Sequence, residues 1–380
     1  MLFKRLFFYR LYIVFVIALI WVLFSILFLY NIVEIDEELL RKRRLSYFSL
    51  AFAIIGFIVA GAETFFLKNA FRKLPLWIST LLRMTMTFMI FLAVSLVVIA
   101  AYYVLRYNGT YQEFKEIFFE KMVFTPSFLM FMIDLGVLSF ISIIMLEVTD
   151  KYGPGGIRNL LRGKYNKPRK ENRIFLFLDI NDSTTIAERL GHDKYFNLLK
   201  DFFADITDPI INNAALIYQY VGDEVILSWI NTPGNKLKCL QFLKEAFYLI
   251  KGKEEYYKEN YGVVPTFKAG IHSGYVTAGY IGIVKKELVF SGDTLNTAAR
   301  IRSKCNDFRK AFLLSANFLK GSSQMDNYQI QQIGEITLRG RQETEKLYSL
   351  GFDNLSFDRI KATPKPVTPE EELTDYYKVK

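Results

Sequence analysis

The sequence predicts two parts in series: an all-α transmembrane region of four helices, then a soluble α+β domain. Three observations carry that reading. Of 380 residues, 52% are apolar, and mean hydropathy is +0.18, high for a chain that folds wholly in water. The apolar excess is concentrated in near-continuous runs before residue 150, whereas strand and helix patterns alternate from Ile174 onward. Net charge is +10, and much of it directly follows the last apolar run. Basic residues in that place flank membrane spans more often than they bind nucleic acid. Cys239 and Cys305, the two cysteines, stand in unrelated contexts, which argues against a disulfide framework or a thiolate metal centre.

Residues 11–33 carry no charge and are long enough to cross a hydrocarbon core of about 30 Å as a helix. The preceding "MLFKRLFFYR" is like a signal-peptide n-region. The apolar run behind it is too long for a cleaved leader, and no small-residue cleavage site follows, so a retained anchor is expected. Further spans are expected at 45–67, 84–105 and 122–146. Lys4, Arg5 and Arg10, then Lys68, Arg72 and Lys73, then the basic run over 151–173 place both termini in the cytoplasm of a cell (inner) membrane protein. The loop at 107–121, with Glu113, Glu116 and Glu120, falls outside. "RKRR" at 41–44 falls outside too, against the rule. Glu63 and Asp134 lie within spans, where ionisable groups are costly. The favoured expectation is that Glu63 reaches the interface from a span end and that Asp134 caps or pairs within the bundle. The alternative is a sensing pair, or a contact with Arg83.

The domain order expected is a four-span region over 1–147, a basic linker over 148–172, a globular domain over 173–352 and a disordered tail over 353–380, rich in proline and acid. Gly153, Pro154, Gly155 and Gly156 break the fourth helix, as a spacer or a defined bend. In the globular part "IFLFLDI" reads as a buried strand and 184–206 as an amphipathic helix. "IYQYVGDEVILSWI" is a hairpin turning at Gly222-Asp223. A long helix over 236–260 follows. "TFKAGIHSGYVTAGYIGIV" reads as strand–turn–strand, "KELVFSGD" as a strand and "TLNTAARIRSKC" as a helix. Strands within "QIQQIGEITLRGRQETEKLYSL" close the domain.

Asp179 ends a buried strand and Asp223 sits at a hairpin tip, so one sheet edge can bring them together. Converging carboxylates in an apolar frame need compensation, and Mg²⁺ or Mn²⁺ suits oxygen donors. The alternative is that each only caps the element after it. Glu224 reads as a turn residue facing water. Ser183, Thr184 and Thr185 open a helix with hydroxyls and free N–H groups, a ready place for phosphate. Asn296 and Arg300 share a helix face four residues apart, where an amide and a guanidinium suit a sugar oxygen and a phosphate.

Over roughly residues 173–350, five segments in order resemble the class III nucleotidyl (adenylate/guanylate) cyclases: "FLFLDI", "YVGDEVILSW", "KAGIHSGYVTAG", "FSGDTLNTAARI" and "LRGRQETEKLYSL". The four-helix front end and "DKYGPGG" are similar to a bacterial membrane-bound subgroup of that family. The resemblance implies a ferredoxin-like catalytic domain acting as a head-to-tail homodimer with composite sites. It makes Asp179 and Asp223, with Ile180 beside them, the site of two Mg²⁺ or Mn²⁺ ions. It makes Asn181, Asp182, Ser183, Thr184, Thr185 and Arg341 phosphate-binding. Asn296 and Arg300 become the pair that orients the ribose and stabilises the transition-state phosphate across the interface. The implied reaction converts ATP at the membrane to 3′,5′-cyclic AMP and pyrophosphate. Base-reading positions depart from the pattern: Gln219 stands where adenylate cyclases commonly have Lys, and Val289 where they have Asp or Thr. Cyclic GMP, a pyrimidine product, or a non-catalytic nucleotide-binding dimerisation module are the alternatives.

Overall fold

A computed structural model describes residues 4–33, 42–71, 74–107, 115, 126–153, 159, 162–321, 328–337 and 344–352. The chain divides into two compact units, Met1–Lys164 and Tyr165–Lys380.

The first unit contains α1 (Lys4–Val33), α2 (Lys42–Ala62), α3 (Leu76–Tyr107) and α4 (Pro126–Tyr152). Beyond its end, α2 continues through a π-helical turn at Glu63–Leu67 and a last turn at Lys68–Ala70. Ile17 and Trp21 of α1 pack on Ile55 and Val59 of α2, with Phe91 and Leu138 closing the core. Gly56 permits that approach, since a Cβ there would meet the Trp21 Cβ at 2.7 Å. Outward faces are also apolar: Phe15, Phe66 and Trp77 are exposed, as on a helix that faces lipid rather than water. Among the described residues three helical segments, Phe7–Ser25, Leu76–Val94 and Met132–Lys151, are long and apolar enough to cross a membrane; Phe52–Leu67 is a shorter apolar stretch.

Glu63 corrects the favoured expectation. It is 1% exposed inside the bundle, not at an interface. Arg83 Nε donates to its Oε2 at 2.8 Å and Thr87 Oγ1 to its Oε1 at 3.1 Å, while Arg83 Nη1 reaches Glu147 Oε1 at 2.7 Å. A charge so far from water is tolerable only when paired, and the Arg83 guanidinium supplies the partner. Asp134 is half-buried on α4. The loop at 108–114, the linker at 154–158 and the tail from 353 lie outside the described residues.

The second unit begins with β1 (Arg169–Ile180), α5 (Ser183–Leu190), α6 (His192–Asn212), β2 (Leu216–Val221), β3 (Glu224–Ile230), α7 (Pro233–Gly252), α8 (Glu254–Tyr261) and β4 (Phe267–Ile281). Strand order β2-β3-β1-β4 in this βαββαβ run is the ferredoxin-like arrangement. The chain then adds β5 (Glu287–Ser291), which pairs with β4, α9 (Asp293–Ser303), β6 (Phe312–Ser315), α10 (Ala316–Leu319), β7 (Gln329–Thr337) and β8 (Thr344–Gly351).

Strand β1 is central and covered on both faces, hence its unbroken apolar run. Ile174, Leu176 and Leu178 enter the core under α6 and α7, with Phe202 and Leu243. Phe175 and Phe177, one residue out of phase, join Phe290 and Ala298 on the opposite face.

Three expectations change. The helix at 184–206 is two, parted at Gly191, whose φ of +74° suits glycine. The helix at 236–260 is also two, meeting at Lys253. Within "TFKAGIHSGYVTAGYIGIV", "FKAGIHSGYVTAGYI" is one 15-residue strand without a turn. Its glycines serve packing instead: a Cβ on Gly270 would lie 2.2 Å from Arg302 N, and one on Gly274 2.6 Å from Thr294 Oγ1. Close contact with α9 therefore excludes side chains at both positions.

Candidate active site

Strand register assembles the site. Asp179, the penultimate residue of β1, pairs with Glu224 of β3 on one side and Lys268 of β4 on the other. All three share the face that α9 covers, because side chains directly opposite across neighbouring strands point the same way. Asp223 precedes Glu224 in the two-residue turn joining β2 to β3. Gly222 holds φ +62° at the first turn position, as a type II′ hairpin requires. The two aspartates meet there. The Asp179 carboxyl is raised above its usual range by burial first, then by a hydrogen bond with Asp223 and by that residue's charge; Arg302 and Lys268 oppose the shift.

Glu224 does not face water. It is 8% exposed, with its Oε2 2.5 Å from Arg302 Nη2. Burial raises its carboxyl most, and Arg302 pulls it back. The second arm of the same guanidinium, Nη1, lies 3.1 Å from Asp179 Oδ2, and Lys268 Nζ lies 3.3 Å from that oxygen. Lys268 and Arg302 belong to this charged cluster, and sequence reasoning missed both. The register would have exposed Lys268; nothing local marks Arg302, which arrives from 123 residues away.

The loop after β1 is tied down by Asn181, whose N donates to Thr266 O at 2.8 Å and whose Nδ2 donates to Thr266 Oγ1 at 3.0 Å. Asp182 sits in the left-handed region and gives α5 no side-chain cap. Ser183 shares a hydrogen bond with Tyr195 of α6, whose hydroxyl is raised by burial and then by the charges of Asp223 and Asp179. Thus Ser183 borders the aspartates, while Thr184 and Thr185 are exposed on the same turn. The Ile180 side chain is buried in the core, leaving only its backbone to serve a metal.

Asn296 and Arg300 lie four apart on α9, the first exposed and the second half-buried. Gln219 lies on β2 and Val289 on β5, away from the carboxylate cluster in the strand register. They neighbour Tyr218 and Phe290, whose rings are 5.0 Å apart and whose strands are linked by Phe290 N donating to Tyr218 Oη at 3.5 Å. Arg341 lies outside the described residues.

Among the described residues no group of three His, Cys, Asp or Glu is arranged to chelate, so capacity for a cation rests on the aspartate pair. Two carboxylates brought together at a sheet edge fit a hard divalent cation with oxygen preference.

The adenylate and guanylate cyclase catalytic domain family matches residues 165–351. Adenylate cyclase 2 of Rhizobium meliloti (strain 1021) is 31% identical over 217 residues, 57% of this chain and 60% of that protein. Retinal guanylyl cyclase 2 of Homo sapiens is 23% identical over 231 residues, 60% of this chain and 20% of that protein. The chain therefore spans less than two thirds of either relative. A solved bacterial light-regulated adenylyl cyclase matches at 20% identity and a TM-score of 0.48, over 56% of this chain and 64% of that one. The βαββαβ sheet, the aspartate pair at its edge and the family match agree: residues 165–351 belong to the class III adenylate and guanylate cyclase catalytic domain family.

Proposed function

We propose that this chain is a membrane-anchored nucleotidyl cyclase converting ATP to 3′,5′-cyclic AMP and pyrophosphate in composite sites of a homodimer. The observation that carries it is the meeting of Asp179 and Asp223 at one edge of a cyclase-type sheet. The two aspartates would hold the divalent cations that this family generally uses, with the Ile180 carbonyl beside them. When bound there, such cations polarise the phosphates and the attacking 3′-hydroxyl.

The chain's own groups do the rest. First-turn N–H groups of α5 and the Ser183 hydroxyl border the aspartates and suit phosphate oxygens. Arg300 supplies charge to a phosphate in transit, and Asn296 a hydrogen bond to the ribose, from the α9 face of the second copy. Tyr220, Val221, Tyr275 and Ile281 are exposed apolar side chains on β2 and β4, suited to burial against that copy. Long apolar helices support the anchor.

For the base, Gln219 offers both a donor and an acceptor to a purine edge, and Val289 offers only packing. The match to adenylate cyclase 2 favours ATP, while matches to guanylyl cyclases and the Gln219–Val289 pair keep GTP as the second reading. The test is purified full-length chain with Mn²⁺ and each of the four triphosphates in parallel. Cyclic AMP should dominate, and Asp223→Ala should lower turnover at least about a thousandfold, in line with loss of preorganised charge stabilisation. Dominant cyclic GMP would overturn the substrate, and a fully active Asp223→Ala chain would overturn the metal assignment.

A further inference from the structure

The side chains around Asp179 carry an inference that rests on the metal reading above and goes beyond it. Arg302 forks across two carboxylates, with Nη1 on Asp179 Oδ2 and Nη2 on Glu224 Oε2, and Lys268 Nζ reaches the same Asp179 oxygen. The Arg302 side chain is 27% exposed, so the fork is held partly out of water, where charge interactions are weakly screened. We propose that Arg302 is a positioning residue which competes with the divalent cation for Asp179, and that Glu224 anchors it there, so that this ion pair sets the domain's affinity for metal.

The charge balance gives the sign. Formally, Asp179, Asp223 and Glu224 are opposed by Arg302 and Lys268, leaving one net negative charge. Removing Arg302 adds a second net negative charge and frees Asp179 Oδ2 of its guanidinium, so a dication binds more tightly. Removing the Glu224 charge has the opposite effect. Arg302 then has Asp179 as its remaining carboxylate, the cluster becomes neutral, and a dication meets less net attraction. A residue that merely supported the fold would not move affinity in both directions.

The experiment is a Mn²⁺ titration of purified full-length chain followed by electron paramagnetic resonance, with and without 3′-deoxy-ATP or 3′-deoxy-GTP, which lack the attacking hydroxyl. The Asp179→Asn, Asp223→Asn double variant gives the baseline. Relative to wild type, Arg302→Gln should lower the Mn²⁺ midpoint about tenfold and Glu224→Gln should raise it by a similar factor, as expected for one unit charge at contact distance. Arg302→Lys, which keeps charge but loses the fork, should fall between wild type and Arg302→Gln. Thermal unfolding without metal checks folding, and Arg302→Gln should regain lost stability when Mn²⁺ is added. Unshifted midpoints, or shifts in the same direction for Arg302→Gln and Glu224→Gln, would overturn the competition while leaving the metal site standing. Wild-type binding no greater than that of the double aspartate variant would instead overturn the metal reading itself.

Discussion

Asp179 illustrates how a residue acquires chemistry from its neighbours. Its position near the end of β1 places an acid opposite another acid on β3 and a base on β4. Helix α9 then lays a guanidinium over them, which it can do because Gly270 has no side chain. A methyl group at 270 would meet Arg302 N at 2.2 Å and Ala298 O at 2.7 Å, both backbone atoms of α9 that cannot swing aside. Gly270→Ala should therefore push the C-terminal half of α9 off the sheet. The expected cost is about 1–3 kcal/mol, as for overpacked cores. Denaturant unfolding of the chain measures that cost. Nucleotide turnover should fall further than the population of folded chain, because Arg300 and Arg302 ride on the displaced helix.

Elements decide which residues can work together. The β2–β3 hairpin delivers Asp223 to the end of β1, whereas α9 carries Asn296 and Arg300 on a helix face. If the site is shared between two copies, an Asp223→Ala chain still offers an intact α9 and an Arg300→Ala chain still offers intact aspartates. Co-expressed and co-purified as mixed dimers, the two inactive chains should recover about a quarter to a half of wild-type turnover per dimer, since one complete site forms in each mixed pair. No recovery in confirmed mixed dimers would place Arg300 and Asp223 in one chain's site. The hairpin itself was legible in the sequence, because Gly-Asp between two β-branched runs leaves the backbone few other choices. The single strand β4 was not. Its glycines look like turn residues locally, and Gly270 and Gly274 are needed instead for contact with a helix twenty or more residues away.

Across the whole molecule, the two units differ in where they place apolar and charged side chains. The globular unit gathers most of its large apolar side chains into cores on both faces of the sheet, whereas many described apolar residues of the helical unit stand exposed while Glu63 and Arg83 lie buried. Arg83 joins α3 to Glu63 beyond α2 and to Glu147 on α4, and Lys68 pairs with Asp150, three residues after Glu147 on the same helix. Glu63→Leu should leave Arg83 with a buried charge facing no acid on the α2 side, at about 3–5 kcal/mol. Thermal unfolding in detergent should show the loss, and Glu63→Leu with Arg83→Leu should restore much of it, since Glu147, the one charge then left without Arg83, is about a third exposed. A single variant as stable as wild type would mean that the ion pair contributes nothing to the bundle.

Much of this protein was determined by the sequence alone: an apolar half and a globular half, the alternation of strands and helices, a hairpin with acid at its tip, and the ordered segments that resemble a cyclase. Those properties are local, set by hydropathy period, turn chemistry and residue type within short windows. Pairings across the chain belong to tertiary structure. Glu224, read as a turn residue facing water, proved to be buried because β3 lies beside β1 and α9 brings Arg302 to it. Glu63, expected at an interface, proved to be enclosed because Arg83 on another helix meets it. In each case an ionisable side chain is buried where a distant opposite charge compensates the loss of water, and no local window of sequence contains that partner.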